Sequence, residues 1–328
     1  MERKWKEMLG VFLMGVLMPG LVLQFGDLLT PVRGQAFLPA TEPTSVQQTQ
    51  PQQVEITIPV LMTDHTVKMM ELDAYLIRVV IAEMPADFEE EALKAQAVAA
   101  RTCTLKCVRD GIKHPGGAIC TDSTCCQAYM TEAAYEADGG TAENLNKIRK
   151  AVHSTTGQVL TYEGELIDAT YFSCSGGRTE DAVAVWGAEV PYLQSVISPG
   201  EEQAQPFFHT VTFTAEEFSA LLGRKLTGKP ESWLGSVTYT RGGGVATMVL
   251  AGKSYTGTKL RQLLSLNSTA FSIAAQGNAV TVTTSGKGHR VGMSQYGADA
   301  MAVAGSTYEE ILTYYYHGTR IDKIEALG

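Results

Sequence analysis

An alanine-rich segment constrains the fold of this chain more than any other feature of its sequence. The stretch from Phe88 to about Cys107 carries alanines at positions 92, 95, 97, 99 and 100. Side chains this small let other backbones approach closely, so the segment predicts a central helix that is packed on several sides. Asp87 is a suitable N-cap, and Glu89 to Glu91 match the positive end of the helix dipole. The remaining elements are expected to pack around this helix.

The order of strand-like and helix-like segments predicts the fold class. The 328 residues are 45% hydrophobic and 19% charged, which is typical of a globular protein. Hairpin turns are predicted at Glu163-Gly164 and at Gly242 to Gly244, and NLNKIRKAVHST predicts a further helix. Because strands and helices do not alternate regularly, we expect an α+β fold in which mixed sheets and helices form a cleft within one large catalytic region.

The N-terminal segment predicts a membrane anchor. A basic head with Arg3, Lys4 and Lys6 precedes an uncharged apolar run from Met8 to Phe25. That length is near the lower limit for a spanning helix, and no clean small-x-small cleavage site follows, so an uncleaved anchor is favoured over a cleaved signal peptide. Residues 1–32 are therefore expected to be a cytoplasmic head and a single transmembrane helix, with the rest of the chain outside the cytoplasm.

Composition separates a linker from the folded region and excludes one class of partner. Residues 33–54 are rich in Pro, Thr and Gln without periodicity, which predicts a flexible linker. Residues 55–328 are expected to form the folded domain. The net charge of -9 and the pI near 5.2 argue against general nucleic-acid binding, which needs a basic surface.

Three polar residues near the central helix are candidates for chemistry. Glu83 stands just before a Met-Pro turn, where a side chain can face a cleft, although an exposed surface glutamate is the simpler interpretation. Lys94 and Arg101 share one face of the predicted helix, and an ion-paired helix face is the alternative to a functional pair. Cys103 and Cys107, one turn apart on this helix, are expected in the core.

Two glycine-containing turns are further candidates. The segment YFSCSGGR ends a strand in small residues that let a polymer approach, and it carries Tyr171, Ser173 and Ser175; a simple surface turn is the alternative. It lacks the Gly-x-Ser-x-Gly pattern of a nucleophile elbow. The loop SGKGHRVGMSQYGA matches neither a phosphate-binding loop nor a dinucleotide fingerprint, and is expected to present His289 and Gln295 beside a cleft.

A loop between the central helix and the next helix predicts either a metal site or disulfides. His114, Cys120, Cys125 and Cys126 lie close together in it among Pro and Gly residues, and this mixture of ligands suits zinc. Their spacing matches no standard zinc finger, and thiols outside a membrane can also oxidise to disulfides. Spacing alone leaves both interpretations open.

Three long segments resemble the SpoIID/LytB domain family. They are YLIRVVIAEMPADFEEEALKAQAVAARTCTL, YFSCSGGRTEDAVAVWGAEVPYLQSVISPGEE and GKGHRVGMSQYGADAMA, and the likeness extends over nearly all of residues 54–328. The resemblance implies a membrane-anchored lytic transglycosylase that acts on peptidoglycan while the forespore is engulfed. Such an enzyme cuts the β-1,4 bond between N-acetylmuramic acid and N-acetylglucosamine and leaves a 1,6-anhydro end.

The resemblance also implies roles for the candidate residues. Glu83 falls on the family's catalytic acid/base, and Lys94 and Arg101 match positions that family members need for activity. We expect those two residues to bind substrate groups or to orient the loop. The expected groove lining consists of Tyr171, Ser173, Ser175, His289 and Gln295.

A zinc ion is implied by the same resemblance. Clostridial members are similar to this chain in a loop that carries zinc through a H…C…HC pattern, which matches His114, Cys120 and Cys126. This chain has Cys125 where a histidine is expected. One zinc ligand type replaces the other, so zinc is the expected cofactor.

Two other functions stay open on sequence grounds. The wider family includes non-catalytic amidase enhancers, which bind and activate a murein hydrolase. A hydrolase is the second alternative, with Asp168 or Glu180 as the second carboxylate that water-dependent cleavage requires. The expected partners are glycan strands, a sporulation amidase or endopeptidase, and a polytopic membrane protein.

Overall fold

Two consecutive helices, α1 (Leu72–Glu83) and α2 (Glu90–Asp110), lie at the centre of the fold. They belong to a computed structural model that describes residues 56–324 apart from residues 112, 205 and 206. The five alanines of the alanine-rich segment are completely buried, which confirms the prediction of a central helix. Helix α2 ends at Gly111, whose φ of 64° is in the left-handed region that terminates helices.

The predicted boundaries of α2 were displaced by two or three residues. The helix begins at Glu90, and its N-cap is Glu89 rather than Asp87. The reason is tertiary: the backbone N–H of Glu89 donates to Asp299 Oδ1 at 2.7 Å, so the preceding residues form a turn between the two helices. A side chain distant in sequence therefore decides where the helix starts.

The main region, residues 56–204 and 286–324, packs small sheets and helices around α2 and buries one large apolar core. Its first part contains β1 (Thr57–Leu61), β2 (Val67–Glu71), β3 (Ile119–Cys120), α3 (Glu132–Ala137), α4 (Ala142–Ser154), β4 (Gln158–Tyr162), β5 (Glu165–Leu166), β6 (Tyr171–Phe172) and α5 (Ala182–Trp186). Strand β1 pairs with β2 antiparallel and with β3 parallel. The predicted turn at Glu163-Gly164 joins β4 and β5, which confirms that hairpin.

The insert, residues 207–285, has a second apolar core of its own. It contains β7 (Phe208–Thr214), α6 (Ala215–Leu221), β8 (Leu234–Tyr239), β9 (Val245–Leu250), β10 (Lys253–Thr256), α7 (Gly257–Leu263), β11 (Phe271–Gln276) and β12 (Ala279–Ser285). Its two sheets have the strand orders β11-β12-β7 and β10-β9-β8. Because Phe208 pairs with Ser285, the chain leaves the main region and returns to it at one place.

The chain then completes the main region with β13 (Met293–Ser294), α8 (Gln295–Val303), α9 (Tyr308–Tyr315) and β14 (Arg320–Lys323). Strand β13 pairs with β6, and β14 pairs with β4, so the last segment closes sheets begun much earlier. The mixture of sheets and helices confirms the α+β prediction. The division into two cores was not predicted.

Among residues 56–324, as far as they are described, no helix has the length and apolar character that a membrane span requires. The predicted anchor, residues 1–32, and the predicted linker, residues 33–54, lie outside the described residues.

Candidate active site

A cavity of about 1100 Å³ opens where the main region and the insert meet. Its lining includes Glu83, Tyr171, Ser173 and His289 from the main region and Arg261 from the insert. The volume is slightly above the usual range of about 300–1,000 Å³ for ligand-binding clefts, so it has room for an extended ligand. The structure thus brings together four of the eight predicted catalytic and substrate-binding residues.

Glu83 is the last residue of α1 and is half-buried in the cavity wall. Its Oε1 accepts a hydrogen bond from the backbone N–H of Ala128 at 2.7 Å. Burial raises the pKa of Glu83 above its ordinary value, while the hydrogen bonds from Ala128 and Gln295 act in the opposite direction. The carboxyl end of a helix also disfavours negative charge. The arrangement favours a carboxyl group that can hold a proton.

The four predicted metal ligands lie together. His114, Cys120, Cys125 and Cys126 each offer one ligand atom, and these atoms are all within 4.8 Å of one another. His114 Nε2 is 3.3 Å from Cys125 Sγ and 3.5 Å from Cys126 Sγ. All six cysteines of the chain are in the described part and are free. These four side chains could therefore hold one metal ion.

A short segment connects this metal-ligand cluster to Glu83. Cys126 is followed by Gln127, whose Nε2 donates to Thr104 Oγ1 at 2.8 Å and whose Oε1 accepts from Tyr171 O–H at 2.7 Å. Ala128 then donates to Glu83. Gln127 is buried and was missed by the sequence analysis, because its partners lie far from it along the chain. The position of the Glu83 carboxyl thus depends on the loop that carries the histidine and the three cysteines.

Tyr171 and Ser173 lie on the cavity wall, whereas Ser175 does not. Ser175 is completely buried, and its hydroxyl donates to Glu201 Oε2 at 2.6 Å. This burial corrects the prediction that Ser175 lines the groove. Glu201 also accepts from Ser198 Oγ at 2.7 Å and from Ser294 Oγ, the N-cap of α8. Glu201, which the sequence analysis missed, joins the serine turn to the start of the helix that carries Gln295.

The glycine-rich loop is held in place by a buried ion pair. Arg290 Nη1 lies 3.2 Å from Glu180 Oε1, and both side chains are almost completely buried. Arg290 Nη2 donates to the Gly242 carbonyl of the insert, and Glu180 Oε1 accepts from Gly244 N–H. The pair therefore connects the insert to the main region. It also leaves Glu180 unavailable as the second carboxylate of a hydrolase.

Of the two residues predicted in the glycine-rich loop, His289 lines the cavity and Gln295 does not. His289 lines the cavity, and burial, together with the charge of Arg261, lowers the pKa of His289 to about 4. It is therefore neutral at neutral pH. Gln295 is buried behind the cavity wall, where its Nε2 donates to Gln96 Oε1 at 3.5 Å and its side chain acts against the burial that raises the pKa of Glu83.

Arg101 is inside the core and not at the cavity, so of its two predicted roles, binding substrate groups or orienting the loop, the first is wrong. Its side chain is completely buried, and Nη2 lies 3.0 Å from Asp73 Oδ1. The same guanidinium donates to the carbonyls of Val152 and Gln158. The guanidinium of Arg101 therefore joins α1, α2 and the end of α4.

Lys94 and two cysteines also occupy positions that differ from expectation. Lys94 forms ion pairs with Glu90 at 3.1 Å and Glu91 at 2.7 Å, as in the alternative of an ion-paired helix face, and it is not part of the cavity lining. Cys103 and Cys107 are only partly buried and line the cavity, although Cys107 also packs against the large apolar core, so their assignment to the core holds only in part.

The fold and site together define a class: an α+β protein with one desolvated carboxyl in a cleft beside a cysteine-histidine cluster. Comparisons with known proteins identify the family. A family model described as SpoIID, Stage II sporulation protein, matches residues 63–162. Stage II sporulation protein D of Bacillus subtilis (strain 168) is 44% identical over 277 residues, covering 83% of this chain and 80% of that protein.

Two further relatives extend the comparison. Stage II sporulation protein D of Bacillus amyloliquefaciens is 40% identical over 277 residues, with the same shares of 83% and 80%. The amidase enhancer of Bacillus subtilis (strain 168) is 32% identical over 297 residues, covering 73% of this chain and 39% of that protein. The chain belongs to the SpoIID family of sporulation proteins and is related to the amidase enhancer.

Proposed function

We propose that this protein is a lytic transglycosylase that cleaves the β-1,4 bond between N-acetylmuramic acid and N-acetylglucosamine in peptide-stripped peptidoglycan during engulfment. The observation that carries the proposal is the position of Glu83, a half-buried carboxyl with a raised pKa in the wall of a large cavity. Family membership supports a role in sporulation. The residue's environment supports the type of chemistry.

One carboxyl is sufficient for this reaction. In its protonated form Glu83 gives its proton to the glycosidic oxygen as the bond from that oxygen to the anomeric carbon breaks, and the bonding electrons leave with the oxygen. The resulting carboxylate then accepts the proton of the muramyl 6-hydroxyl, whose oxygen bonds to the anomeric carbon. Glu83 ends the cycle protonated, and no water is consumed. Burial favours the protonated state in which the cycle starts.

Hydrolysis would need a second carboxyl to activate water or to form a covalent intermediate. Of the two residues considered from sequence, Glu180 is engaged by Arg290. Asp168 does line the cavity, where it lies 3.9 Å from Lys106 Nζ. The nature of the products separates the two reactions, because hydrolysis leaves reducing ends and transglycosylation leaves 1,6-anhydro ends.

Zinc is proposed as the resident cofactor, held by His114, Cys120, Cys125 and Cys126. The separations of 3.3 to 4.0 Å between three of the ligand atoms fit a tetrahedral ion with bonds of about 2.0–2.3 Å. Bound zinc would cross-link the loop, as in structural sites where protein supplies all four ligands. Zinc itself takes no part in the proposed reaction. The carboxyl of Glu83 is oriented by the backbone N–H of Ala128.

The cellular setting is also part of the proposal. Residues 1–32 would anchor the protein in the cell membrane with a single span, and residues 33–54 would connect it to a domain outside the cytoplasm, on the mother-cell side of the engulfing septum. The proposed partners are an amidase or endopeptidase that removes stem peptides and a polytopic membrane protein of the engulfment machinery. Relatedness to an amidase enhancer supports a cell-wall hydrolase as a partner.

The test is mass spectrometry of products from peptide-free glycan strands incubated with the purified protein. Wild type is expected to release anhydro-muramyl ends, and Glu83→Gln is expected to lose roughly 10²- to 10⁴-fold in rate while still binding glycan. Asp168→Asn is the matched control, because it removes another cavity carboxylate and should retain transglycosylation.

Each contrary result has a definite meaning. Near-wild-type cleavage by Glu83→Gln would remove Glu83 from the reaction. Reducing ends that vanish in Asp168→Asn would establish a hydrolase. Intact strands with wild type, together with faster release of stem peptides from untreated peptidoglycan by an added amidase, would establish the non-catalytic enhancer.

A further inference from the structure

The proposed reaction leaves one cationic group of the cavity unused. Arg261 belongs to α7 of the insert and lines the same cavity as Glu83. Its Nε donates to the Leu266 carbonyl at 3.3 Å, which leaves both terminal nitrogens of the guanidinium free of bonds to the described residues. Burial lowers the pKa of Arg261, and no carboxylate of the described part acts against that effect. A half-buried guanidinium without a counter-ion invites an anionic ligand.

The other cations of the cavity are less suited to this role. Lys106 lies 3.3 Å from Asp110, and Lys113 donates to the Cys125 carbonyl. Lys287 is exposed, so solvent screens its charge. Arginine also presents a planar fork that matches a carboxylate with two parallel hydrogen bonds, whereas lysine is a point charge. Arg261 is therefore the anion-binding group with the best geometry.

An aromatic surface lines the same cavity as this guanidinium. The ring of Trp186 lines the cavity, is 47% exposed, and has its centroid 5.5 Å from that of His289. His289 is uncharged at neutral pH, since its pKa is lowered to about 4. An exposed indole offers a flat apolar face on which a pyranose ring can lie. A sugar on Trp186 would thus lie in the same cavity as the cation of Arg261.

The chemistry of the glycan identifies the anion. A strand without stem peptides carries one carboxylate in each disaccharide, on the lactyl ether of muramic acid, next to the sugar ring. In a strand with stem peptides that same group is an uncharged amide. We propose that Arg261 binds the free lactyl carboxylate and makes the cavity selective for strands that an amidase has already processed. This inference rests on the proposed function, because it takes the cavity to be the glycan site.

The experiment measures binding to the full-length protein in detergent, in a Glu83→Gln background that prevents cleavage. The probes are three glycan oligomers of equal length: one with free lactyl carboxylates, one with neutral lactyl methylamides, and one with stem peptides. We expect the free acid to bind about 10- to 100-fold more tightly than the methylamide, the range for hydrogen bonds to a charged group. Arg261→Gln should remove this preference, and Arg261→Lys should retain part of it.

Lys259→Gln is the matched control, since Lys259 lies on the same helix, is exposed, and contacts Gln262 rather than the cavity. It should leave the preference unchanged. A preference for the free acid that survives in Arg261→Gln would overturn the inference. The inference would also be overturned if Arg261→Gln lost affinity only for the oligomer with stem peptides, because Arg261 would then bind a peptide carboxylate.

These binding measurements, together with the product analysis of wild type, separate this inference from the proposed function. If wild type cleaves no strand but Arg261 still determines the preference, the transglycosylase proposal fails and the inference holds. If wild type cleaves and the preference is independent of Arg261, the inference fails and the transglycosylase proposal stands.

Discussion

The main region and the insert contribute to one cavity but have different kinds of core. In the part of the chain that the structure describes, every buried charged residue belongs to the main region: Asp73, Arg101, Glu180, Glu201 and Arg290. The buried polar residues of the insert are the small hydroxyl residues Ser268, Thr269 and Thr284. Otherwise the core of the insert is apolar, and in it the rings of Phe218 and Trp233 stack with their centroids 6.4 Å apart.

This difference shows where geometry is specified and where stability is supplied. A buried charge costs free energy to desolvate and is tolerated only when its partners are in place, so it restricts the arrangement of the segments that it joins. Glu201 restricts the serine turn relative to α8, and Glu180 with Arg290 restricts the insert relative to the glycine-rich loop. The apolar core of the insert carries no such requirement and gives Arg261 a stable support.

Breaking a buried pair in the main region should have the largest effect on stability. Arg101→Met keeps an apolar side chain of similar length but leaves Asp73 buried without its cation, so it should lower the free energy of unfolding by about 3–5 kcal/mol in urea titrations. The Asp73→Asn/Arg101→Met double variant should regain most of the loss. A loss below about 1 kcal/mol in Arg101→Met would show that the pair does not constrain this core.

In the apolar core of the insert, the free energy of unfolding should depend on the volume of a buried side chain and not on an ion pair. Leu250 is completely buried, and Leu250→Ala should cost about 2–5 kcal/mol through the cavity that it leaves. Leu250→Met, which restores the volume, should cost less than about 1.5 kcal/mol. If the methionine variant is as unstable as the alanine variant, the insert depends on specific geometry in the same way as the main region.

Removing zinc should affect the two regions unequally. Zinc bound at the proposed site, with free zinc at about 100 times its dissociation constant, would stabilise the folded loop by roughly 2.7 kcal/mol, so chelation should speed amide hydrogen exchange there about 100-fold. The change is expected in residues 113–128, which include the ligands and the donor to Glu83. Exchange in residues 207–285 serves as the internal control and should not change. Equal acceleration in both regions would mean that zinc supports the whole domain.

The smallest effect concerns the ionisation of Glu83 in the main region. Its pKa is raised above 4.5 by burial, so the folded state binds the proton more tightly than the unfolded state does. Stability is therefore greatest below the unfolded pKa and falls as the pH rises through the folded pKa. Glu83→Gln should have a higher melting temperature than wild type at neutral pH and an equal one at about pH 3.5. Equal melting temperatures at both pH values would contradict the raised pKa.

The central helix and the metal-ligand cluster could be predicted because their signals are local. The alanines of α2 lie in one segment, and the histidine and three cysteines lie in one loop. Gln127 and Glu201 could not be predicted in the same way. Each is a single polar residue whose importance comes from partners contributed by other segments, such as Tyr171 for Gln127 and Ser294 for Glu201.

The sequence by itself determined the α+β class, the position of the buried helix and the residue types available for chemistry. Composition and short-range patterns carry this information because alanine, glycine and cysteine act through their own size, backbone freedom or ligand atoms. The role expected of Glu83 came from the likeness to a known family, because local spacing alone did not distinguish a functional glutamate from a surface one.

Only the tertiary structure decided which side of α2 faces the core and which residues reach the cavity. The helix pattern placed Lys94 and Arg101 on one face, yet one is paired at the surface and the other is enclosed by Asp73 and α4. The pairing of β7 with β12 created the insert, and the insert delivers Arg261 to a cavity formed with residues more than 100 positions earlier. Such contacts depend on packing between distant segments, which no local pattern records.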